Sequence, residues 1–539
     1  MTTTLYRGGR IYSAVDPFAT ALVVENDQIA WVGSDAAADT HADGVDEVVE
    51  LDDAFVTPSF VDAHVHVTST GLHLSGLDLS NAATLGDALE LIEQHSRKVR
   101  GAVVLGHGWD ETRWPEGRPP RRDELDRASY GGVVYLSRVD VHSCVASSAL
   151  MALAPDVGDA PGFSADGWLS QKAHHIVRRI ALDSVTPAQR RAAQRVCLEH
   201  AASLGIGMVH ELGGPEISSS EDFEDLLGTV GPASGLRVIG YWGEGGGPDI
   251  AISLGATGAA GDHFVDGAIG SRTAFLRAPY ADSPTRGAAY TTASTIRDHV
   301  VACSQVGIQA GYHVIGDGAM EMVVAGFSEA AQAIGDEPVR AARHRLEHVE
   351  MVDSDAQALL ARLGVLASVQ PVFDALWGGD SGMYADRLGA DRAQQLNPFA
   401  SMQRAGVPLA FGSDAPVTPL APWDAVRAAT GHHQKAERLT ARAAFTAHTR
   451  GGWRAAGSDG GVIAPGERAD LAVWQCDELV VETPDDRVSA WSTDPRAAVP
   501  GLPSLSSEAA NPECLRTIVG GRTVYSSDAV RPDNAGSTP

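Results

Sequence analysis

The sequence predicts an α/β protein: a (β/α)8 TIM barrel with an inserted subdomain after its first strand and a small β-sandwich built from both chain ends. Three observations predict it. Eight short apolar runs alternate with Ala-rich amphipathic segments through the middle of the chain, and eight parallel strands are the number that closes such a barrel. Short β-like runs separated by turn residues occupy the two ends instead. At 539 residues the chain also exceeds the size at which a single core usually stops growing, unless the fold is a large barrel.

The N-terminal runs "TLYRGGRIYSA", "ALVVEN", "QIAWVG" and "DEVVELDD" are alternating or β-branched, and are divided by turn signals such as Glu25-Asn26-Asp27. Comparable runs return in "ADLAVWQ" (469–475) and "CLRTIVGGRTVYSS" (514–527), so residues 1–55 and 455–527 are assigned to one sandwich. The barrel is assigned to 56–454. Its strands are "FVDAHVH" (60–66), "IGMVHEL" (206–212), "LRVIGYW" (236–242), "DHFVDG" (262–267), "IQAGYHVIGD" (308–317), "HRLEHVE" (344–350), "VLASVQP" (365–371) and "PLAFGSD" (408–414). Helices at 187–205 and 353–364 each end at a glycine suited to the C′ position. Between 72 and 185 the spacing breaks and separate strands appear ("AVVLGHGWD", "VVYLSRVDVHS"), which marks the insertion. The Pro/Gly/Ser-rich stretch 528–539 reads as a flexible tail.

Lys+Arg total 41 against Asp+Glu 69, a formal charge of -28, which argues against nucleic acid and anionic membranes as partners. The five cysteines are scattered without a CxxC pair, as expected of reduced thiols, and nowhere do eighteen apolar residues run together. With no signal-peptide pattern at the N-terminus, the expectation is a cytoplasmic protein.

In a TIM barrel the reacting groups sit at the C-terminal strand ends. Here those ends carry His64 and His66 on strand one, His210 and Glu211 on strand two, Asp262 and Asp266 on strand four, His313, His348 and Asp414. Residues i and i+2 share a strand face, so His64 and His66 can both point inward. An HxH pair by itself is more often a satisfied strand end than a metal grip. Five such residues at barrel termini shift the balance to a divalent metal, because imidazole and carboxylate together suit zinc and related ions.

The chain resembles the amidohydrolase superfamily, in its YtcJ-like (amidohydrolase 3) branch that includes N-substituted formamide deformylase. The resemblance rests on "TPSFVDAHVH" (57–66), "GHGWDETRWPEGRPPRRDELD" (106–126), "YLSRVDVHS" (135–143), "DGAIGSRTAFL" (266–276), "YHVIGDGAM" (312–320), "HRLEHVE", "GSDAPV" (412–417) and "GERADLAV" (466–473), in that order. It implies a metal-dependent hydrolase in which His64, His66, His313 and His348 match histidine ligand positions, and Asp414 matches the aspartate that contacts metal and shuttles a proton. Binuclear members of the superfamily bridge two metals through a carboxylated lysine at the end of strand four. This chain has Asp262 there, and its three lysines, Lys98, Lys172 and Lys435, lie elsewhere. One ion, zinc by preference, is therefore expected rather than two bridged by Asp262 or Glu211, with His348 beside it to hydrogen-bond or polarise the substrate.

The activity that follows is hydrolysis of a non-peptide C–N bond in a small-molecule amide or N-formyl or N-acyl amine, with Asp414 as general base and acid and His348 as a second catalytic group. A deaminase, a lactone or ester hydrolase, and a non-catalytic metal-binding scaffold are the alternatives. Trp109, Arg138, Asp140, His142 and Arg272 are candidate substrate contacts, with a structural ion pair the alternative for Arg138, Asp140 and His142 and ordinary packing the alternative for Trp109. Trp114, Trp242 and Trp377 could also line a pocket; Arg272 could instead order its own loop. The pairs His174-His175 and His432-His433 read as surface histidines, and the resemblance further implies a homodimer.

Overall fold

The structure is a computed structural model, and it describes residues 2–42, 44–138, 143–482, 491–492 and 501–527. The chain divides into two compact units, Met1–His66 with Leu198–Pro539, and Val67–Cys197.

The first unit contains the barrel. Its strands are β1 (Phe60–Val65), β2 (Ile206–Gly213), β3 (Arg237–Trp242), β4 (Gly258–Ala259), β5 (Gln309–Val314), β6 (Arg345–His348), β7 (Leu366–Val369) and β8 (Leu409–Phe411). They form one sheet in sequence order, every neighbouring pair parallel. The sheet closes where β8 runs out: Val65 bridges Ala415, the Asp414 N–H donates to the His64 carbonyl and the His66 N–H to that of Ala415. Every residue of β1, β2 and β5 is buried, as strands covered on both faces require. The expected TIM barrel is therefore present.

The helix Ser354–Leu363 shows why the alternation is readable. Asp353 caps it by accepting the Ala356 N–H, and Gly364, at φ 66°, ends it in the left-handed region that a side chain disfavours.

Strand four corrects the expectation. Only Gly258 and Ala259 pair as a strand, and "DHFVDG" follows as irregular chain that touches β5 at the Phe264–His313 bridge. Asp262 and Asp266 consequently lie beyond strand four rather than on it.

Two further sheets are built from the chain ends, the first from the N-terminal segment alone and the second from both. One has the order Gln28–Gly33, Ala21–Glu25, Thr3–Arg7, Glu47–Glu50; the other Arg10–Ile11, Phe55–Pro58, Leu471–Gln475, Glu513–Val519, Arg522–Ser526. They share a core in which Leu22, Val24 and Ile29 meet Val56, Leu471 and Ile518.

The Val67–Cys197 unit, where 72–185 is the expected insertion, has its own five-stranded sheet. Val104–Trp109 pairs in parallel with Leu77–Asp78 and Val134–Arg138, and Ser143–Ala146 and Trp168–Ser170 follow antiparallel. The tail at 528–539 lies outside the described residues.

Candidate metal centre

The side chains at the mouth of the barrel converge. Asp414 Oδ1 is 3.2 Å from His64 Nε2 and 3.1 Å from His66 Nε2. Asp262 lies opposite, with Oδ2 3.3 Å from His66 Nε2 and Oδ1 3.7 Å from both His64 Nε2 and His313 Nδ1. The His348 ring centroid is 5.0 Å from that of His64 and 4.4 Å from that of His313. His64, His66, His313, His348, Asp262 and Asp414 are all buried, so the five ligands expected from strand ends, and Asp262, meet at one place.

Each ring has one nitrogen committed to the protein. His64 Nδ1 donates to Glu347 Oε2 at 3.0 Å, His66 Nδ1 to the Leu212 carbonyl at 3.1 Å, and His348 Nδ1 to Gln370 Oε1 at 2.8 Å. His313 uses Nε2, 3.4 Å from the Gly267 carbonyl. These bonds set the tautomers and leave a lone pair on the other nitrogen of each ring, the usual way a protein orients imidazole ligands. His64 Nε2, His313 Nδ1 and Asp262 Oδ1 are buried without a hydrogen-bond partner in the described structure. Orphaned lone pairs of this chemistry fit a divalent cation.

The electrostatics agree. Burial works against a charge on His64, but Asp414, Glu347 and Asp262 outweigh it and raise its pKa to about 10. For Asp414 burial raises the pKa, yet the adjacent His64 and His66 bring it well below the usual carboxylate range. A site that draws positive charge so strongly is suited to exchange its protons for a cation. His348 differs: burial, with His313 and His64 nearby, lowers it to about 4, so its imidazole is neutral.

Backbone strain and close packing hold the cluster. Asp414 (φ 55°), His348 (φ 70°) and Val349 (φ 52°) all adopt the left-handed region. Such residues cost about 1–3 kcal/mol each and persist where surrounding structure over-determines them. In a regular strand Glu347 and His348 would face opposite sides; the left-handed turn at His348 brings both into the interior. Asp62 Oδ1 accepts the His64 N–H (3.1 Å) and the Ser413 N–H (3.0 Å), stapling β1 to the chain after β8. Gly412 permits that approach, since a Cβ there would lie 2.5 Å from the His64 nitrogen.

Above the cluster is a cavity of about 380 Å³, into which His66, His313, His348 and Asp414 project. Its remaining walls are mostly apolar, among them Ile217, Phe264, Ile315, Phe373 and Trp377.

Several candidates have other roles. Trp109 is fully buried in the core of the Val67–Cys197 unit, and its indole N–H donates to the Leu136 carbonyl, leaving no face for a substrate. Trp114 shares that core, and Trp242 packs on Phe223; Trp377 alone of the four lines the cavity. Arg138 is bound to Glu111 (2.9 Å) and Asp110 (3.3 Å). Asp140 and His142 lie outside the described residues. Arg272 forks onto Asp282 at 2.9 and 2.7 Å, and Asp282 also receives Arg387, so Arg272 orders its own loop. Asp266 accepts the backbone N–H groups of Phe275, Ile315 and Gly316. His210 Nδ1 accepts from Arg345 at 3.0 Å. In both HH pairs the first residue is buried, His174 against the Tyr135 hydroxyl and His432 beside Asp374, while the second is exposed.

Glu347, Gln370, Asp62 and Glu350 are the residues that sequence reasoning missed. Strand parity with Arg345 was the available signal for Glu347; for Gln370 and Asp62 there was only their proximity to strand ends.

The sequence profile of the Amidohydrolase family matches residues 47–525. YtcJ of Bacillus subtilis (strain 168) is 26% identical over 524 residues, covering 89% of this chain and 95% of its own. N-substituted formamide deformylase of Arthrobacter pascens is 25% identical over 527 residues, covering 87% and 92%. Among solved structures, an uncharacterized metal-dependent hydrolase from Pyrococcus furiosus superposes with a TM-score of 0.74 at 25% identity, over 88% of this chain and 99% of its own. With a profile match across most of its length, a closed barrel and a histidine–aspartate cluster at the barrel mouth, the chain belongs to the amidohydrolase family.

Proposed function

We propose that this protein is a metal-dependent hydrolase of a non-peptide C–N bond, acting on a small-molecule amide or N-formyl or N-acyl amine. The observation that carries the reading is Asp414 Oδ1, 3.2 and 3.1 Å from the Nε2 atoms of His64 and His66, at the floor of a largely apolar cavity of small-molecule size.

His64, His66, His313 and Asp414 would hold one divalent ion, zinc being favoured by the nitrogen-rich donor set, with Asp262 completing the cluster. When bound, the ion supplies a polarised carbonyl and a water acidic enough to deprotonate near neutral pH. Asp414 takes the proton of the attacking water and returns it to the leaving nitrogen, so that the amine departs neutral. His348 was expected to polarise the substrate. With Nδ1–H given to Gln370 and its ring neutral, Nε2 keeps a lone pair and no proton to donate, so His348 stands beside the ion as an acceptor for a substrate or water proton.

The test is a panel of amides, N-formyl amines, cyclic ureas, lactones and amino-heterocycles, with amine and ammonia release followed on metal-replete protein. Amides and N-formyl amines should be turned over, and Asp414→Asn at wild-type metal content should lower kcat by at least about 100-fold. Exclusive lactone cleavage or ammonia release from heterocycles would replace the C–N acyl reading. Undiminished kcat in Asp414→Asn would remove Asp414 from the proton path.

A further inference from the structure

We propose that a second cavity beside the metal centre is a substrate subsite selective for a cationic group, an ammonium or guanidinium carried by one arm of the substrate; this rests on the hydrolase reading above. The cavity measures about 810 Å³, against about 380 Å³ for the one over the cluster. Asp262 and Phe264 belong to the walls of both, so the two share a boundary at the metal centre. The Phe264 ring forms that boundary and lies against His313, with centroids 4.7 Å apart. Asp262 is 5% exposed, and its Oδ1 has no hydrogen-bond partner in the described structure. A substrate whose carbonyl sits at the cluster therefore has room on two sides, a mostly apolar pocket on one and a larger, acidic chamber on the other.

Glu216, Glu244 and Asp262 line the chamber, and no lysine or arginine is among its described lining residues. Glu244 is aimed by Trp242, whose indole N–H donates to Oε2 at 2.7 Å. Neither Glu216 nor Glu244 is ion-paired among the described residues. Tyr290 adds a ring that is 55% exposed, on a residue fixed by its N–H bond to the Val265 carbonyl at 2.8 Å. His263 stacks on Tyr312, and burial lowers its pKa to about 4, so it brings no positive charge. Carboxylates beside an open aromatic face recognise a cation through charge-assisted hydrogen bonds and the ring quadrupole. The walls of a concave site focus that attraction beyond what an open acidic surface exerts.

The experiment is calorimetric binding of two matched amide pairs to metal-replete protein in an Asp414→Asn background, which separates recognition from turnover. One pair puts the charge on the amine arm, N-(ω-aminobutyl)cyclohexanecarboxamide against its N-pentyl analogue. The other puts it on the acyl arm, N-cyclohexyl-ω-aminopentanamide against N-cyclohexylhexanamide. The cyclohexyl group suits the apolar pocket with Phe373 and Trp377. In at least one pair the cationic compound should bind at least about tenfold tighter, as hydrogen bonds to charged groups give, and the gain should shrink at high salt. Adding Glu216→Gln and Glu244→Gln together preserves the chamber's shape and an acceptor for Trp242. It should bring the ratio towards one and leave the neutral compound's affinity unchanged. Equal binding within both pairs, no binding of any compound, or a ratio that survives the double substitution overturns the proposal. Wild-type turnover of the same compounds reports on the C–N hydrolase reading separately. A cationic preference in binding without hydrolysis would sink that reading and leave the chamber standing; hydrolysis with equal kcat/KM within each pair would do the reverse.

Discussion

His64 Nδ1 lies 3.0 Å from Glu347 Oε2, which ties the first barrel strand to the sixth through a ring whose other nitrogen faces Asp414. Glu347 is held in turn by Arg345, with Nε 2.6 Å from Oε1 and Nη2 3.0 Å from Oε2. Arg345 also donates to the Ala63 carbonyl and to His210 Nδ1, and stacks over Tyr241. This chain of charges crosses the barrel interior with Glu347, Arg345 and His210 fully buried. Burial would push the Glu347 carboxyl up, but Arg345 and His64 hold it down to about 2, so it stays ionised and accepts the His64 proton.

Replacing Glu347 should therefore damage both binding and folding. Glu347→Gln keeps the shape but leaves Arg345 buried without its counter-ion, a change that costs about 3–5 kcal/mol when one partner of a buried pair is removed. It also withdraws the carboxylate that orients His64, and loss of such a partner weakens metal binding by about 10–100-fold. Chelator competition measures the affinity and denaturant unfolding of the metal-free protein measures the stability. A variant equal to wild type in both would mean that Arg345 alone orients the strand ends.

The Asp262 carboxylate faces His64, His66 and His313 at 3.3–3.7 Å. Mass-spectrometric metal analysis should find close to one ion per chain. Asp262→Asn removes the charge without changing the size, and should lower metal affinity by at least about tenfold, no less than loss of an orienting partner does. A stoichiometry near two would make Asp262 a bridge between ions, and an unchanged affinity in Asp262→Asn would place it outside the coordination sphere.

Much of this was legible in the sequence, because barrel strands are short, fully buried and punctuated by helix caps. The polar residues that interrupted those runs, His64, His66, His313, His348 and Asp414, had no reason to be buried apart from a shared site. Strand four escaped because Gly258 and Ala259 are too few to form a pattern, while the strand-like apolar pair Phe264-Val265 in "DHFVDG" lies against β5 without pairing regularly. Glu347 escaped because alternation assigns neighbours to opposite faces, and a left-handed His348 breaks that rule. Trp109 and Arg138 show the converse: large side chains near strand ends attract a functional reading, yet both are satisfied inside their own unit.

Acid sensitivity should have an identifiable component away from the metal cluster. His344 is fully buried; its Nδ1 accepts the Ala310 N–H at 2.9 Å, and its Nε2 donates at 2.9 Å to Ser304 Oγ, whose own proton goes to the Val300 carbonyl. That network admits only the neutral ring, because a proton on Nδ1 would face the Ala310 N–H. Burial accordingly lowers the pKa to about 3, against about 6.5 for an unfolded histidine. The unfolded chain then takes up a proton that the folded one refuses, so the stability from His344 is complete above pH 6.5 and falls as the pH drops towards 3, by about 1.4 kcal/mol per pH unit. His344→Gln, which can still donate to Ser304 but does not titrate, should be less stable than wild type at pH 7.5 and should close the gap by pH 5. Unfolding midpoints of the metal-free proteins across that range test this. Parallel pH curves for the two proteins would mean that His344 accepts its proton in the folded state.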